Sequence, residues 1–337
     1  MESTQNDFKA YPSIIGLNKI KTDMDQYQEL IDQIPEFVVT EKIHGCNVSF
    51  ICTPDNIKVC RRNGILTSSE YQTFYKIYIA YTKYQELLKI ICTENNFSKI
   101  YIYGEWCGGV YQNQETVKST QNKPIQQEIM YSPTYEFIIF DIFNSETHLW
   151  MPYDQLCELC TKYNLFYAPI LYRGSYNDCI DWSTQHYELP STIATNIFHL
   201  PELENQNNNL REGHVIRPTT DNIYSKFNER FIIKHKNTKF LEQTTQTVSS
   251  NIHNTIHLPE EITNCICETR LINILLKLTP EEKTNIRFVI NAVKSDILSE
   301  LQRENQEFYE IATKFDNKQD KMFKGLISKL INTYKNK

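Results

Sequence analysis

The chain has 337 residues, of which 40% are hydrophobic, enough to build a full core in one large domain and a smaller one. No apolar run approaches the roughly 20 residues that cross a bilayer, and the polar N-terminus lacks the pattern of a signal peptide. We therefore expect a cytoplasmic or nuclear protein rather than a secreted or membrane protein. The net charge of −6, taken alone, argues against nucleic-acid binding but does not exclude it, because binding needs only a local basic face.

The first part of the chain is predicted to mix strands and helices. Short apolar or alternating runs predict strands, and longer runs without helix breakers predict helices. The predicted strands cover residues 37–39, 47–52, 57–60, 100–103 and 137–140, and the predicted helices cover 71–92 and 153–163.

The second part of the chain begins with a polar stretch at 203–210, predicted to be a surface loop, and continues with predicted strands at 214–216 and 231–233. Beyond it we expect helices, because two apolar stripes recur at helical spacing. The stripes are Ile286, Val289, Ile290, Val293, Ile297, Leu301 and Phe323, Leu326, Ile327, Leu330, Ile331, Tyr334. The pattern predicts an α+β domain over 1–243, a polar linker at 244–255 and a helical domain over 256–337.

Lys42 lies in a predicted loop after a strand and shortly before Gly45, where backbone can approach a ligand closely. A lysine that acts as a nucleophile must lose its proton. At an ordinary lysine pKa of about 10.4, lowering by about three pKa units requires about 4 kcal/mol from burial or nearby cations. A reactive lysine therefore predicts other cations close by, whereas a solvated surface lysine needs none.

Lys234 and Lys236 are candidates for those cations. Alternate residues of a strand share a face, so two ammonium groups would lie side by side and suit a polyphosphate. Lys226, Arg230 and Lys239 extend this segment into a candidate basic face. An edge strand protected by lysines would give the same pattern, and the segment alone does not separate the two interpretations.

Three acidic residues lie beside predicted strands: Glu105, Asp141 and Glu212. Acids at strand ends bind ribose hydroxyls or a hydrated Mg²⁺, although each one singly is commonly a turn or capping residue. No glycine-rich phosphate loop occurs, which disfavours a kinase or P-loop ATPase. The ten cysteines have no zinc-site spacing, and we expect reduced thiols.

Taken in order, six motifs resemble those of the covalent nucleotidyltransferases, the superfamily of DNA ligases, RNA ligases and mRNA capping enzymes. Most of that superfamily has Lys-x-Asp-Gly around its nucleophile, and here the sequence is Lys42-Ile43-His44-Gly45. The His variant followed by Asn47 resembles the RNA ligase 2 family, which includes phage nick-sealing and trypanosomatid RNA-editing ligases. The other matching motifs are Arg61-Arg62-Asn63-Gly64, Tyr103-Gly104-Glu105-Trp106, Phe140-Asp141-Ile142, Glu212-Gly213-His214-Val215-Ile216-Arg217-Pro218 and Lys234-His235-Lys236.

The resemblance spans about residues 36–240 and implies a nucleotidyltransferase (ATP-grasp-like) domain of antiparallel sheets flanked by helices. It implies an ATP-dependent RNA ligase that joins 3′-hydroxyl and 5′-phosphate ends through lysyl-AMP and RNA-adenylate intermediates. The expected cofactors are ATP and Mg²⁺ or Mn²⁺. The expected partner is RNA, as a nicked duplex or as RNA ends in repair or editing, and we expect a monomer.

The resemblance also implies which residues hold the nucleoside. Lys42 would be the nucleophile. Glu41 and the backbone of Ile43 would contact adenine, Phe140 would stack on it, and Glu105 would bind the ribose.

On the phosphate side, Arg62 and Asn47 would contact the ribose or the α-phosphate. Glu212 would help to place the metal. Lys234 would hold the α-phosphate, and Lys236 the phosphate chain or the leaving pyrophosphate.

His44 and Asp141 are implied to support the nucleophile loop and later steps. Within the superfamily, the alternatives are a capping guanylyltransferase and a DNA ligase. His44 and the helical tail disfavour both, since those enzymes carry an OB-fold after the catalytic domain. An alternative of another class is a non-catalytic RNA-binding protein that kept the fold, which the intact Lys42, Glu212 and Lys234 disfavour.

Overall fold

A computed structural model of the chain divides into two compact units, one with residues up to 17 and 23–237, and the other with residues 18–22 and 238 onward. The predicted boundary at 243 stays a prediction, and the predicted linker 244–255 lies outside the described residues. The structure describes residues 7–112, 123–126, 128–220, 222–226, 229–237, 240 and 258–335.

One sheet of the first unit has five strands in the order β1-β11-β10-β2-β9. All neighbours are antiparallel except β1 and β11, which pair in parallel. This sheet carries both sides of the predicted phosphate site, because β2 leads into Lys42 and β10 follows Glu212. Its strands are β1 (Ile15–Gly16), β2 (Phe37–Glu41), β9 (Ile170–Gly174), β10 (Gly213–Pro218) and β11 (Ile233–Lys236).

The other sheet has six antiparallel strands in the order β5-β4-β3-β6-β7-β8. Alternation along β3 and β6 sends one set of side chains to each face, so the sheet has two apolar surfaces. Its strands are β3 (Cys46–Cys52), β4 (Ile57–Arg61), β5 (Gly64–Ile65), β6 (Ile100–Gly108), β7 (Tyr135–Asn144) and β8 (Leu149–Trp150).

Helices cover the sheets of this unit. On one face of the six-stranded sheet, Tyr84 and Leu88 of α4 join a buried cluster with Phe50 and Ile102. On the other face, the N-terminal residues Phe8 and Tyr11 pack against another cluster. α1 (Leu17–Thr22) belongs to the second unit except for Leu17. The helices of the first unit before residue 200 are α2 (Met24–Asp32), α3 (Glu70–Thr73), α4 (Tyr78–Glu94), α5 (Tyr153–Lys162), α6 (Tyr176–His186) and α7 (Ile193–Asn196).

Three local predictions differ from the structure. The helix predicted over 71–92 is broken between α3 and α4, where Tyr75 and Lys76 adopt positive φ. The strand predicted at 231–233 begins only at Ile233 and extends to Lys236. Finally, Glu105 and Asp141 lie inside β6 and β7 rather than at strand ends, because both strands continue past the apolar runs that predicted them.

The second unit is all-helical over the described residues 258–335, as predicted. Val289, Val293 and Ile297 on one helix and Phe323 and Ile327 on another lie in its buried core. Ile286 was predicted to belong to the first stripe but is exposed at the start of its helix. The helices are α8 (Glu260–Asn264), α9 (Glu268–Lys277), α10 (Pro280–Thr284), α11 (Ile286–Glu304), α12 (Gln306–Thr313) and α13 (Asn317–Lys335).

The α+β class, the antiparallel sheets and the helical C-terminal region are thus confirmed. All ten cysteines, each of them within the described residues, are free thiols. Among the helices of the described residues, none is long and apolar enough to span a membrane.

Candidate active site

The loop between β2 and β3 holds Lys42 close to the start of β10. The backbone N–H of Lys42 donates to the carbonyl of Gly213 at 2.9 Å. A side chain at Gly45 would place its Cβ 2.4 Å from the carbonyl oxygen of Trp106, so the loop packs directly on β6. Gly213 has φ +145°, and a Cβ there would lie 2.1 Å from the carbonyl oxygen of His235. Both glycines are therefore required by close backbone contacts.

Glu212 is the common anionic partner of the site. Its carboxylate lies 2.7 Å from Nζ of Lys42, 3.4 Å from Nδ1 of His44 and 3.6 Å from Nζ of Lys236. Burial alone would raise the pKa of Glu212. The Lys42 ammonium, His44 and Lys236 outweigh burial and hold the pKa of this carboxyl well below its usual range. Glu212 is therefore an anion that three cationic side chains share.

His44 lies between two carboxylates. Its Nε2 is 2.9 Å from Glu128, and its Nδ1 faces Glu212. Burial would lower the pKa of His44, but the bonds to Glu128 and Glu212 raise it to about 9. The ring is therefore an imidazolium at neutral pH. The His44 backbone N–H also donates to the Tyr131 hydroxyl at 3.0 Å, which fixes the loop.

Glu41, at the end of β2, is a carboxylate that is buried without a well-formed hydrogen bond among the described residues. Only 1% of the residue is exposed, and neither carboxylate oxygen has a well-formed hydrogen bond to any described residue. Burial raises the pKa of Glu41 to about 7, although Arg211, Ser191 and Thr192 lie near enough to favour the ionised form. Such a group is suited to accept hydrogen bonds from a bound ligand. The neighbouring Ile43 is also buried.

Glu105, Asn47 and Arg62 come together across the six-stranded sheet. Asn47 on β3 pairs directly with Glu105 on β6. Burial raises the pKa of Glu105 to about 7, and the charges of Lys42 and Arg62 oppose that rise. Arg62 is exposed at the turn between β4 and β5. These side chains therefore share one electrostatic neighbourhood with Lys42.

Phe140 and Asp141 lie at an irregularity in β7. Tyr103 pairs with Asp141 and Gly104 with Ile139, so Phe140 is an extra residue opposite β6. Such a β-bulge reverses the alternation of the strand beyond it. It leaves Phe140 half-buried with its ring centroid 5.0 Å from that of Tyr11.

Asp141 is fully buried and paired with two arginines. Its carboxylate accepts hydrogen bonds from Arg217 at 3.3 Å, Arg230 at 2.7 Å and the Tyr11 hydroxyl at 2.8 Å. Burial would raise the pKa of Asp141, but Arg217 and Arg230 lower it. Because Arg217 also donates to the Phe140 carbonyl at 2.9 Å, this group joins the two sheets. The buried Arg230 is thus no part of an exposed basic face, and Lys239 lies outside the described residues.

Lys234 and Lys236 lie on one face of β11, as their spacing predicted. They pair with Val215 and Gly213 of β10, and both are half-buried. The side chain that contacts Lys42 is the anion Glu212, which also lies 3.6 Å from Nζ of Lys236. The gathering of cations around Lys42 stays a prediction.

The family of this chain follows from its comparison with known proteins. The model of the RNA ligase family matches residues 35–236, which is more than half of the chain and contains all six motifs. The chain belongs to the RNA ligase family.

This RNA ligase family member is similar to "RNA-editing ligase 1, mitochondrial" of Trypanosoma brucei brucei, with 27% identity over 277 residues and 72% of the chain covered. The chain spans only 57% of the length of that relative. Among solved structures, it is similar to a Naegleria gruberi RNA ligase with PPi (19% identity, TM-score 0.44, covering 70% of this chain and 58% of that one). A mutant of that ligase with AMP and Mn gives 18% identity and a TM-score of 0.45, with the same two coverages.

Several residues of this RNA ligase family member touch the site without having been predicted. Glu128 and Tyr131 bond His44, and the Gln126 side chain donates to the Gly45 carbonyl at 3.2 Å. They come from an irregular segment between β6 and β7, and sequence periodicity gives no signal for such contacts.

Proposed function

We propose that this protein is an ATP-dependent RNA ligase with Lys42 as its nucleophile. The observation that carries the proposal is the contact of Lys42 with Glu212, 2.7 Å apart, beside Lys236 at 3.6 Å from the same carboxylate. A nucleophilic amine, a carboxylate and a second cation are the groups that nucleotidyl transfer to lysine requires.

In this proposal the nucleoside lies between the two sheets. The unpaired carboxylate of Glu41 suits the amino group of adenine, since a buried acceptor needs a donor. The Ile43 backbone would contact the same base, and Phe140 would stack on it. Glu105 would accept hydrogen bonds from the ribose, with Asn47 and Arg62 on the ribose or α-phosphate side.

Three group transfers follow from this arrangement. Lys42, after losing its proton, attacks the α-phosphate of ATP; the Nζ–P bond forms and pyrophosphate leaves. The 5′-phosphate of an RNA end then attacks the phosphorus of lysyl-AMP and releases Lys42. A 3′-hydroxyl attacks the activated end, forms the phosphodiester and releases AMP. Lys234 would neutralise the α-phosphate, and Lys236 the departing pyrophosphate.

Glu212 could bind Mg²⁺ or Mn²⁺ together with substrate phosphates, but not as part of a metal site made of the described protein side chains alone. In the described residues, no group of three metal-binding side chains is present. Mg²⁺, however, commonly binds one carboxylate together with substrate phosphates. Glu212 would supply that carboxylate, and the ion would lower the charge of the phosphates. His44 and Asp141 would keep the nucleophile loop and the bulge of β7 in place.

RNA ends or a nicked duplex are the proposed substrates, with RNA repair or editing as the proposed role. The cytoplasmic location and the monomeric state remain predictions. Ligation of a matched set tests the substrate: an RNA nick, a DNA nick with an RNA 3′-end, and single-stranded RNA. We expect sealing of at least one substrate with an RNA 3′-end.

Incubation with α-labelled ATP and a divalent metal tests the nucleophile. We expect a labelled protein of 39.8 kDa from the wild type and no label from Lys42→Ala. Lys89→Ala, which removes a half-buried lysine paired with Glu86 on α4, is the control and should be labelled normally. An unlabelled wild type, or equal labelling of Lys42→Ala, would refute the assignment.

The same assay separates the alternatives. Labelling by α-labelled GTP in place of ATP would favour a capping guanylyltransferase, and sealing restricted to all-DNA nicks would favour a DNA ligase. A protein that binds RNA but neither labels nor seals would be a non-catalytic member of the family.

A further inference from the structure

A buried chain of hydrogen bonds lies behind the strands that carry the phosphate-side residues. His214 on β10 pairs with His235 on β11, and His235 alternates along its strand with Lys234 and Lys236. The hydroxyl of Ser183, on α6, lies 2.9 Å from Nδ1 of His214 and 2.9 Å from Nδ1 of His235. Ser183 and His214 are fully buried. One hydroxyl therefore joins the helix to both strands.

The direction of these hydrogen bonds follows from the first donor, the guanidinium of Arg211. Nη1 of Arg211 lies 2.9 Å from Nε2 of His214, and a guanidinium can only donate. Nε2 of His214 must therefore accept, and the proton of its neutral ring lies on Nδ1, facing Ser183.

The Ser183 hydroxyl has one hydrogen of its own to give. Its oxygen accepts from His214, so its hydrogen is available for Nδ1 of His235. With that hydrogen donated to Nδ1, a neutral His235 would carry its own proton on Nε2. The ring of Tyr187 stacks on His235 with centroids 4.6 Å apart, which fixes the plane of the imidazole. Donation therefore runs from Arg211 to His214 and from His214 to Ser183, and a Ser183 hydrogen given to His235 would extend the same direction to β11.

We propose that Ser183 is a positioning residue: it holds His235 in a single tautomer and so keeps the flanking Lys234 and Lys236 aligned for the triphosphate. This inference rests on the proposed ligase function. His235 lies between the two lysines, and its backbone approaches Gly213 so closely that no Cβ fits there. A small shift of β11 would therefore move both lysines relative to Glu212, whose carboxylate is 3.6 Å from Nζ of Lys236.

Nitrogen-15 NMR of histidine-labelled full-length protein tests this chain of hydrogen bonds directly. We expect His214 as the Nδ1–H tautomer and His235 as the Nε2–H tautomer, with His235→Asn used to assign its signals. In Ser183→Ala, His235 should become a mixture of tautomers. Ser183→Thr keeps a hydroxyl and should restore the single tautomer. Thr184→Ala removes the next hydroxyl of α6, which bonds only within that helix at 2.8 Å, and is the matched control.

Step-resolved kinetics test the functional consequence. Loss of this buried hydrogen bond should slow lysyl-AMP formation on the order of tenfold and raise the KM for ATP. Sealing of pre-adenylated RNA needs no triphosphate and should fall by less than about threefold. Equal slowing of both steps in Ser183→Ala would show a merely structural role and overturn the proposal. A mixture of His235 tautomers in the wild type would also overturn it. A wild type that never forms lysyl-AMP would instead refute the ligase function, whatever the tautomers are.

Discussion

The replacement of Glu41 by glutamine tests the buried carboxylate that defines the proposed base pocket. An acid whose pKa is higher in the folded chain than in the unfolded chain binds protons more tightly when folded, so stability falls as pH rises between the two values. The pKa of Glu41 is raised from 4.5 to about 7. At 1.36 kcal/mol per pKa unit, ionised Glu41 lowers the free energy of unfolding by about 3 kcal/mol above pH 7. Glutamine cannot ionise and should escape that loss.

Urea unfolding at pH 5 and pH 8.5 measures the effect. The difference in unfolding free energy between Glu41→Gln and wild type should grow by about 2 to 3 kcal/mol in favour of the variant as pH rises. Glu29→Gln, at an exposed position on α2, is the control and should show no such growth. The variant should nevertheless form lysyl-AMP poorly, because it lacks the anionic acceptor for adenine. A constant difference at both pH values would refute the account of Glu41.

Three further substitutions address the charged groups around the site. Glu128→Gln should lower the pKa of His44 from about 9 toward 6.5, because it removes one of two flanking carboxylates; an unchanged NMR titration would contradict this. The pKa of Glu212 lies well below the value of about 4.5 expected in the unfolded chain, so the unfolding free energy of the wild type should fall as pH drops below about 4.5. Glu212→Gln has no carboxyl to protonate and should lack this part of the pH dependence. Asp141→Asn leaves two buried arginines without their carboxylate and should lower the unfolding free energy by about 3 to 5 kcal/mol. The partly exposed Asp7, changed to Asn, should lose less than about 1 kcal/mol in the same measurement.

The strands that position the site could be predicted because their side chains alternate or form short apolar runs. Strand β3 was predicted within one residue, and β2 begins at the predicted residue. The helix break at Tyr75 and Lys76 could not be predicted, since both residues adopt positive φ and neither is a glycine or proline, the residues that would have signalled a break. Likewise, the start of β11 at Ile233 depends on pairing with β10, which no local pattern reveals.

The candidate site could be proposed from the sequence where its residues lie within a few positions of each other, as in the loop from Glu41 to Asn47. It was less predictable where function depends on contacts between distant segments. Glu128 reaches His44 across 84 residues of sequence, and Ser183 reaches His235 across 52. Neither lies in a motif, and both contacts follow only from the folded arrangement of loops and helices on the two sheets.

The charges around Glu212 explain how a bound nucleotide would change the contacts of Lys42. Lys42, His44 and Lys236 all lie against one buried carboxylate. A triphosphate brings several negative charges, which compete with Glu212 for these cations in a poorly solvated place where such interactions are strong. Lys236 would turn to the phosphate chain, and Glu212 would be freed to meet a divalent ion. Under the proposed function, the bond between Lys42 and Glu212 would belong to the protein before ATP binds, and ATP binding would release Lys42, the proposed nucleophile.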